Sequence, residues 1–128
     1  MSAVDDFLAG ELFAVVGASA DRSKFGNRVL RHYLAHGRRA IPVHPSAESI
    51  EGQRAYPDLQ SLPEAVHGVS IITPPPVTER VVAEALALSM TRIWMQPGAE
   101  NAAAIEACRA AGVEPIFGGP CVLVELRG

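Results

Sequence analysis

A chain of 128 residues, 48% of them hydrophobic, suits one globular domain that buries about two-thirds of the surface its unfolded form exposes, with no room for a second catalytic domain. Eleven Lys and Arg against fourteen Asp and Glu give a net charge of -3 with no long basic run, which argues against nucleic acid and anionic membrane as partners. Two cysteines, Cys108 and Cys121, form neither a disulfide framework nor a metal-site spacing and read as free thiols.

The opening Met-Ser-Ala-Val-Asp-Asp lacks the basic and apolar regions of a signal peptide, and no apolar run approaches a bilayer's thickness, so a soluble, cytoplasmic protein is expected. Ala3 to Gly10 reads as a short helix, with Val4, Phe7 and Leu8 at helical spacing. The apolar run Leu12 to Val16 is the first strand. It ends at Gly17, and the loop to Gly26 is long for a simple turn and carries Arg22 and Lys24. From Gly26 a helix turns Val29, Leu30, Tyr33 and Leu34 inward and Arg28, Arg31, His32 and His36 outward, closing at Gly37.

Ala40 to Val43 is the second strand, which Pro42 keeps from full pairing on both sides; Pro45 ends it and holds His44 extended. Ser46 to Pro63 reads as a loop, with a short helix expected near Ser61 to Ala65. The third strand, Gly68 to Ile72, is cut off by Thr73, Pro74, Pro75 and Pro76, and Pro76 suits the first turn of a helix with Val77, Val81, Val82, Ala85 and Leu88 inward. Arg92 to Met95 is the fourth strand, followed by Gln96, Pro97 and Gly98. Asn101 then caps a helix with Ala104, Ile105, Cys108 and Ala111 on one face, and Glu114 to Phe117 is the fifth strand.

Strands alternating with helices in this way predict an α/β protein: a Rossmann-like, doubly wound, parallel five-stranded sheet in a single domain, with strand order 3-2-1-4-5. Such sheets bind ligands outside the carboxyl ends of their strands, where the Gly- and Pro-rich stretches of this chain fall. Gly17 tolerates a backbone that other residues avoid, and Ala18 and Ser19 are small enough to let phosphates approach the main chain at a helix N-terminus. The dinucleotide fingerprint is incomplete: no glycine follows Gly17 before Gly26, and no acid stands at the end of the second strand before Glu48. A P-loop is excluded by the absence of Gly-Lys-Ser or Gly-Lys-Thr.

The run Val16-Gly17-Ala18-Ser19 with Lys24 and Gly26, then Ile41 to Pro45, Gly52, Tyr56-Pro57, Trp94-Met95-Gln96 with Gly98, Asn101, Gly112 and Cys121 resembles the small CoA-binding domain proteins. These are similar to the nucleotide-binding domain of the succinyl-CoA synthetase α subunit. The resemblance implies coenzyme A along the carboxyl edge, with Gly17, Ala18 and Ser19 at the pyrophosphate. It implies Val43 and Pro45 with Thr73 and Pro74 around the adenosine, and Gln96, Pro97 and Gly98 near the pantetheine. Arg22 and Lys24 are the cations assigned to phosphate, and His44 falls on the same edge. One departure stands out: family members often carry a basic residue just after the second strand's proline, where this chain has Ser46-Ala47.

The resemblance implies a second, phosphohistidine domain and an ATP-grasp partner in related enzymes, and this sequence contains neither. Asp21, Asp58 and Glu100 show no pairing for acid–base work. Cys121 reads as a small buried hydrophobe; exposed with a lowered pKa, it would instead be open to a mixed disulfide with the thiol of CoA. The expectation is therefore a protein that binds CoA or acyl-CoA and has no catalytic or metal-binding residues of its own. An NAD(P)-binding enzyme or redox regulator, and an interaction protein with a decayed nucleotide site, remain as alternatives, and a homo-oligomer or a protein partner stays open.

Overall fold

Five consecutive apolar residues can be buried along their whole length only as an interior strand. In the computed structural model, which describes residues 2–127, Leu12–Val16 forms β1 and every one of its residues is buried. Strand β2 (Arg39–Val43) pairs parallel to it on one side, with Val15 opposite Pro42. The other side pairs in parallel with a strand over Gly68–Ile71, beyond which lies one over Ile93–Met95. Between them in sequence, β3 (Ser49–Ile50) and β4 (Gln53–Arg54) form a small antiparallel hairpin, so Gly68–Ile71 is β5 and Ile93–Met95 is β6. The four-stranded order is β2-β1-β5-β6.

This corrects the expected five-stranded order 3-2-1-4-5: the third long strand lies inside, against β1, and not outside β2. Pro42 gives the reason. A residue without an N–H suits an edge, and there the outer side of β2 makes one isolated bridge, Val43 to Tyr56, with the Pro42 carbonyl accepting from the Tyr56 N–H at 3.1 Å. The segment Gly68–Ile71 is buried at all four positions, as an interior strand should be. The expected fifth strand shrinks to a single bridge between Ile116 and Trp94, beside Pro115, which has no N–H to donate. The helix expected near Ser61 to Ala65 is a turn, in which Asp58 caps the Ser61 N–H and Pro63 blocks continuation.

Helices cover both faces. Alternate β1 side chains separate the two cores: Phe13 and Val15 join α1 (Ala3–Leu8), α2 (Phe25–Ala35) and α5 (Val122–Glu125). Ala14 and Val16 join α3 (Pro75–Ala87) and α4 (Ala102–Ala110). In the first core, Phe13 stacks between Phe7 and Tyr33, at ring-centroid distances of 5.2 and 4.7 Å, while Phe7 meets Trp94 edge-on at 5.2 Å. Each such pair contributes about 1 kcal/mol beyond its buried area. The stack fixes α2 against β1, and so fixes where the N-terminus of α2 opens.

Asn101 caps α4 as its position predicts, with its carboxamide oxygen accepting from the Ala104 N–H at 2.8 Å. Among the described residues no helix is long and apolar enough to cross a membrane, and no cluster of His, Cys, Asp and Glu could hold a metal.

Candidate functional site

The turn from β1 into α2 is built on two glycines. Gly17 has φ +96°, and a Cβ there would collide with the Ile72 carbonyl at the end of β5. Gly26, the second residue of α2, lies so close to the Gly17 carbonyl and Ala18 Cα that it has no space for a side chain either. The helix start is thus seated directly on the strand end. Its first-turn N–H groups have no acceptor inside the helix, Lys24 at the cap position makes no side-chain capping bond, and no acid occupies the first turn. That end of α2 carries the partial positive charge of a helix N-terminus with no side-chain cap to offset it.

The loop between is locked from both sides. Asn27 is fully buried; its Nδ2 donates to the Ser19 carbonyl at 2.8 Å and to Glu51 Oε2 at 3.1 Å, while its Oδ1 accepts from Arg31 Nε at 2.6 Å. Ser19 Oγ accepts the Asp21 N–H at 3.0 Å. Asp21 is itself held below the ordinary carboxylate range by the hydroxyl and N–H of Ser23, with Lys24 adding its charge. Glu51 sits at φ +50° beside Gly52 at φ +77° in the two-residue turn of the β3–β4 hairpin, an arrangement that matches the strand twist. From there its carboxylate reaches Asn27 and pairs with Arg22 at 3.4 Å, so the hairpin braces the loop.

Beside this turn lies a cavity of about 270 Å³, at the point where the chain leaves β1 for β2 on one side and β5 on the other. Six of its lining residues were singled out from sequence: Gly17, Ala18, Val43, His44, Pro45 and Thr73. Pro57 and Val77 add apolar wall, and Arg80 and Glu84 come from α3. The His44 ring is fixed: its Nδ1 accepts the N–H groups of Ser46 and Ala47 at 3.1 and 3.0 Å, which leaves the ring proton on Nε2. Thr73 Oγ1 and Thr78 Oγ1 are 2.7 Å apart, tying the end of β5 to the first turn of α3.

The remaining sequence candidates do not line the cavity. Ser19, Arg22 and Lys24 belong to the loop between β1 and α2, where Arg22 is two-thirds exposed. Pro74 caps α3 and is exposed. Gln96 is fully buried beyond β6, with Oε1 accepting the Val122 N–H at 2.9 Å and Nε2 without a partner among the described residues. Pro97 and Gly98 are exposed in the following turn, and the Gly98 N–H donates to Glu100 Oε1 at 2.8 Å. Cys121 is half-buried at the start of α5 and Cys108 is fully buried in α4, where burial pushes its thiol up; both are free.

Several positions escaped the sequence reading, among them Asn27, Glu51 and Arg80. The two-residue spacing of Glu51-Gly52 between extended dipeptides is the signal that could have revealed the hairpin. Asn27 reads only as an unremarked polar residue in a helix, and Arg80 simply falls outside the inward stripe of Val77, Val81, Val82, Ala85 and Leu88.

Residues 11–127 match the CoA binding domain family. A conserved hypothetical protein of Pyrococcus furiosus is 36% identical, with 91% of this chain and 99% of that one covered and a TM-score of 0.86. A Thermus thermophilus protein is 28% identical over 98% of this chain and 96% of its own, with a TM-score of 0.87. The dinucleotide-forming acetyl-coenzyme A synthetase 1 of Ca. Korarchaeum cryptofilum, solved with phosphate and ADP, is 25% identical over 85% of this chain but only 25% of its own, with a TM-score of 0.72.

Proposed function

Because this chain belongs to the CoA binding domain family, we propose that it binds coenzyme A, free or acylated, along the carboxyl edge of its Rossmann-like sheet, and that it carries no catalytic machinery of its own. The observation that carries the reading is the cavity beside Gly17, walled by the ends of β1, β2 and β5 and adjoining an uncapped helix start. The pyrophosphate lies on the main chain of Gly17, Ala18 and Ser19, with Lys24 and Arg22 supplying charge. Adenosine enters the slot between Val43, His44 and Pro45 and the Thr73-Pro74 segment. The pantetheine arm runs toward Gln96, Pro97 and Gly98, with Pro97 and Gly98 exposed to receive it and Gln96 buried beneath them. The whole chain acts as one cytoplasmic domain serving as a binding module.

Thermal denaturation with CoA, NAD and NADP tests this directly. A true ligand at a hundredfold excess over its Kd raises Tm by roughly 10 °C, and CoA alone should do so. A rise with NADP or NAD and none with CoA would replace this reading with a dinucleotide enzyme or redox regulator. The missing base at Ser46-Ala47 and the engagement of Arg22 by Glu51 favour a second reading, an interaction protein whose site has decayed; no shift with any of the three is its signature.

A further inference from the structure

We propose that Arg80 on α3, together with the Nε2–H of His44, recognises the 3′-phosphate on the ribose of coenzyme A, replacing from a different element the cation that Ser46-Ala47 lack. The proposal rests on the coenzyme A reading above. Arg80 and His44 both line the cavity that would receive the adenosine, and with His44 Nδ1 accepting two backbone N–H groups, its Nε2–H is left without a partner among the described residues. The cavity's two carboxylates have acceptor capacity committed elsewhere: Glu84 takes the Leu59 and Gln60 N–H groups, both at 3.3 Å, and Asp58 Oδ1 takes the Ser61 N–H and hydroxyl at 2.9 and 2.8 Å. The donors are left facing the space while the acids tie down the 57–61 loop.

The other nearby cations are occupied or lie apart. Arg22 pairs with Glu51, Arg54 lies over the Tyr56 ring at 5.4 Å, and Lys24 stands at the start of α2, on the pyrophosphate side. Among the described residues Arg80 is the one Lys or Arg side chain in the cavity wall. A guanidinium is suited to a terminal phosphate, to which it can present two parallel N–H donors.

Isothermal titration of the full chain with CoA and with 3′-dephospho-CoA, which lacks only that phosphate, tests the assignment. The unsubstituted protein should bind CoA at least tenfold more tightly. Arg80→Ala should erase that preference by weakening CoA alone, leaving dephospho-CoA affinity within twofold and Tm unchanged, because Arg80 is exposed on its helix. Arg80→Lys should recover part of it. Equal loss for both ligands in Arg80→Ala, or a wild-type protein that does not distinguish them, would overturn the role of Arg80 while leaving coenzyme A as ligand. Failure of the wild-type protein to bind either molecule would overturn the coenzyme A reading, and the assignment of Arg80 with it.

Discussion

The Gly17 carbonyl occupies the space that a Gly26 side chain would need. Nine residues apart, the two glycines let the first turn of α2 close onto the end of β1. Gly26→Ala should therefore cost at least about 2 kcal/mol in urea denaturation, since the obstacle is backbone and cannot rotate away. Ligand affinity should fall further than stability alone explains, because the helix start must lift off the turn. A stable protein with unchanged affinity would show that the contact is dispensable.

Asn27 is the second element of the same device. Its carboxamide satisfies the Ser19 carbonyl, Glu51 and Arg31 at once inside a fully buried position. Asn27→Ala removes all three bonds and leaves their partners short, so a loss of about 2 kcal/mol is expected. The loop Ser19 to Lys24 should also become protease-sensitive, and limited proteolysis followed by mass spectrometry of the fragments checks this.

The legible parts of this fold were those with a local cause. The boundaries of β1 follow from an apolar run that meets Gly17, and the α4 cap follows from a side chain that can accept from an N–H three residues on. Strand order is not local. The sequence held the relevant fact in Pro42, which keeps β2 from full pairing on both sides, yet placing the third strand outside β2 contradicted it. The hairpin at Glu51-Gly52 was too short for periodicity to register, at two residues per strand. Within the site, glycines and prolines at strand ends were readable because they act through the backbone. Asn27, Glu51 and Arg80 were not, because each works by reaching another element whose position only the folded chain defines.

Lys24 tests charge without disturbing the fold. Its side chain is exposed and makes no ion pair with the described acids. Lys24→Glu should alter stability by no more than about 0.5 kcal/mol. CoA affinity should drop about tenfold or more, and its dependence on salt should weaken, since one cation facing phosphate has been lost. Titrations at two salt concentrations measure both effects, and an unchanged affinity would move the phosphates elsewhere.

Tyr33 ties helix to sheet through a polar contact buried in the aromatic core: its hydroxyl lies 2.5 Å from Ser70 Oγ on β5, and both residues are fully buried. Burial pushes the Tyr33 phenol well above its usual value of 10.0, an effect that the Ser70 hydrogen bond only partly offsets. A raised pKa means that the folded state holds the proton longer than the unfolded chain. The stability this provides is complete below about pH 10 and is lost as pH climbs above it, at about 1.4 kcal/mol per pH unit. Tyr33→Phe should make the protein less stable at neutral pH by about 1 to 3 kcal/mol, because the Ser70 hydroxyl is left alone in the core, while removing this contribution to alkaline unfolding. The double change Tyr33→Phe with Ser70→Ala should recover part of the neutral-pH loss, since neither polar partner then remains buried without the other. Urea midpoints of the three variants and the parent, measured at neutral pH and near pH 11, separate the two effects; an equally steep alkaline loss in Tyr33→Phe would mean that another group titrates there.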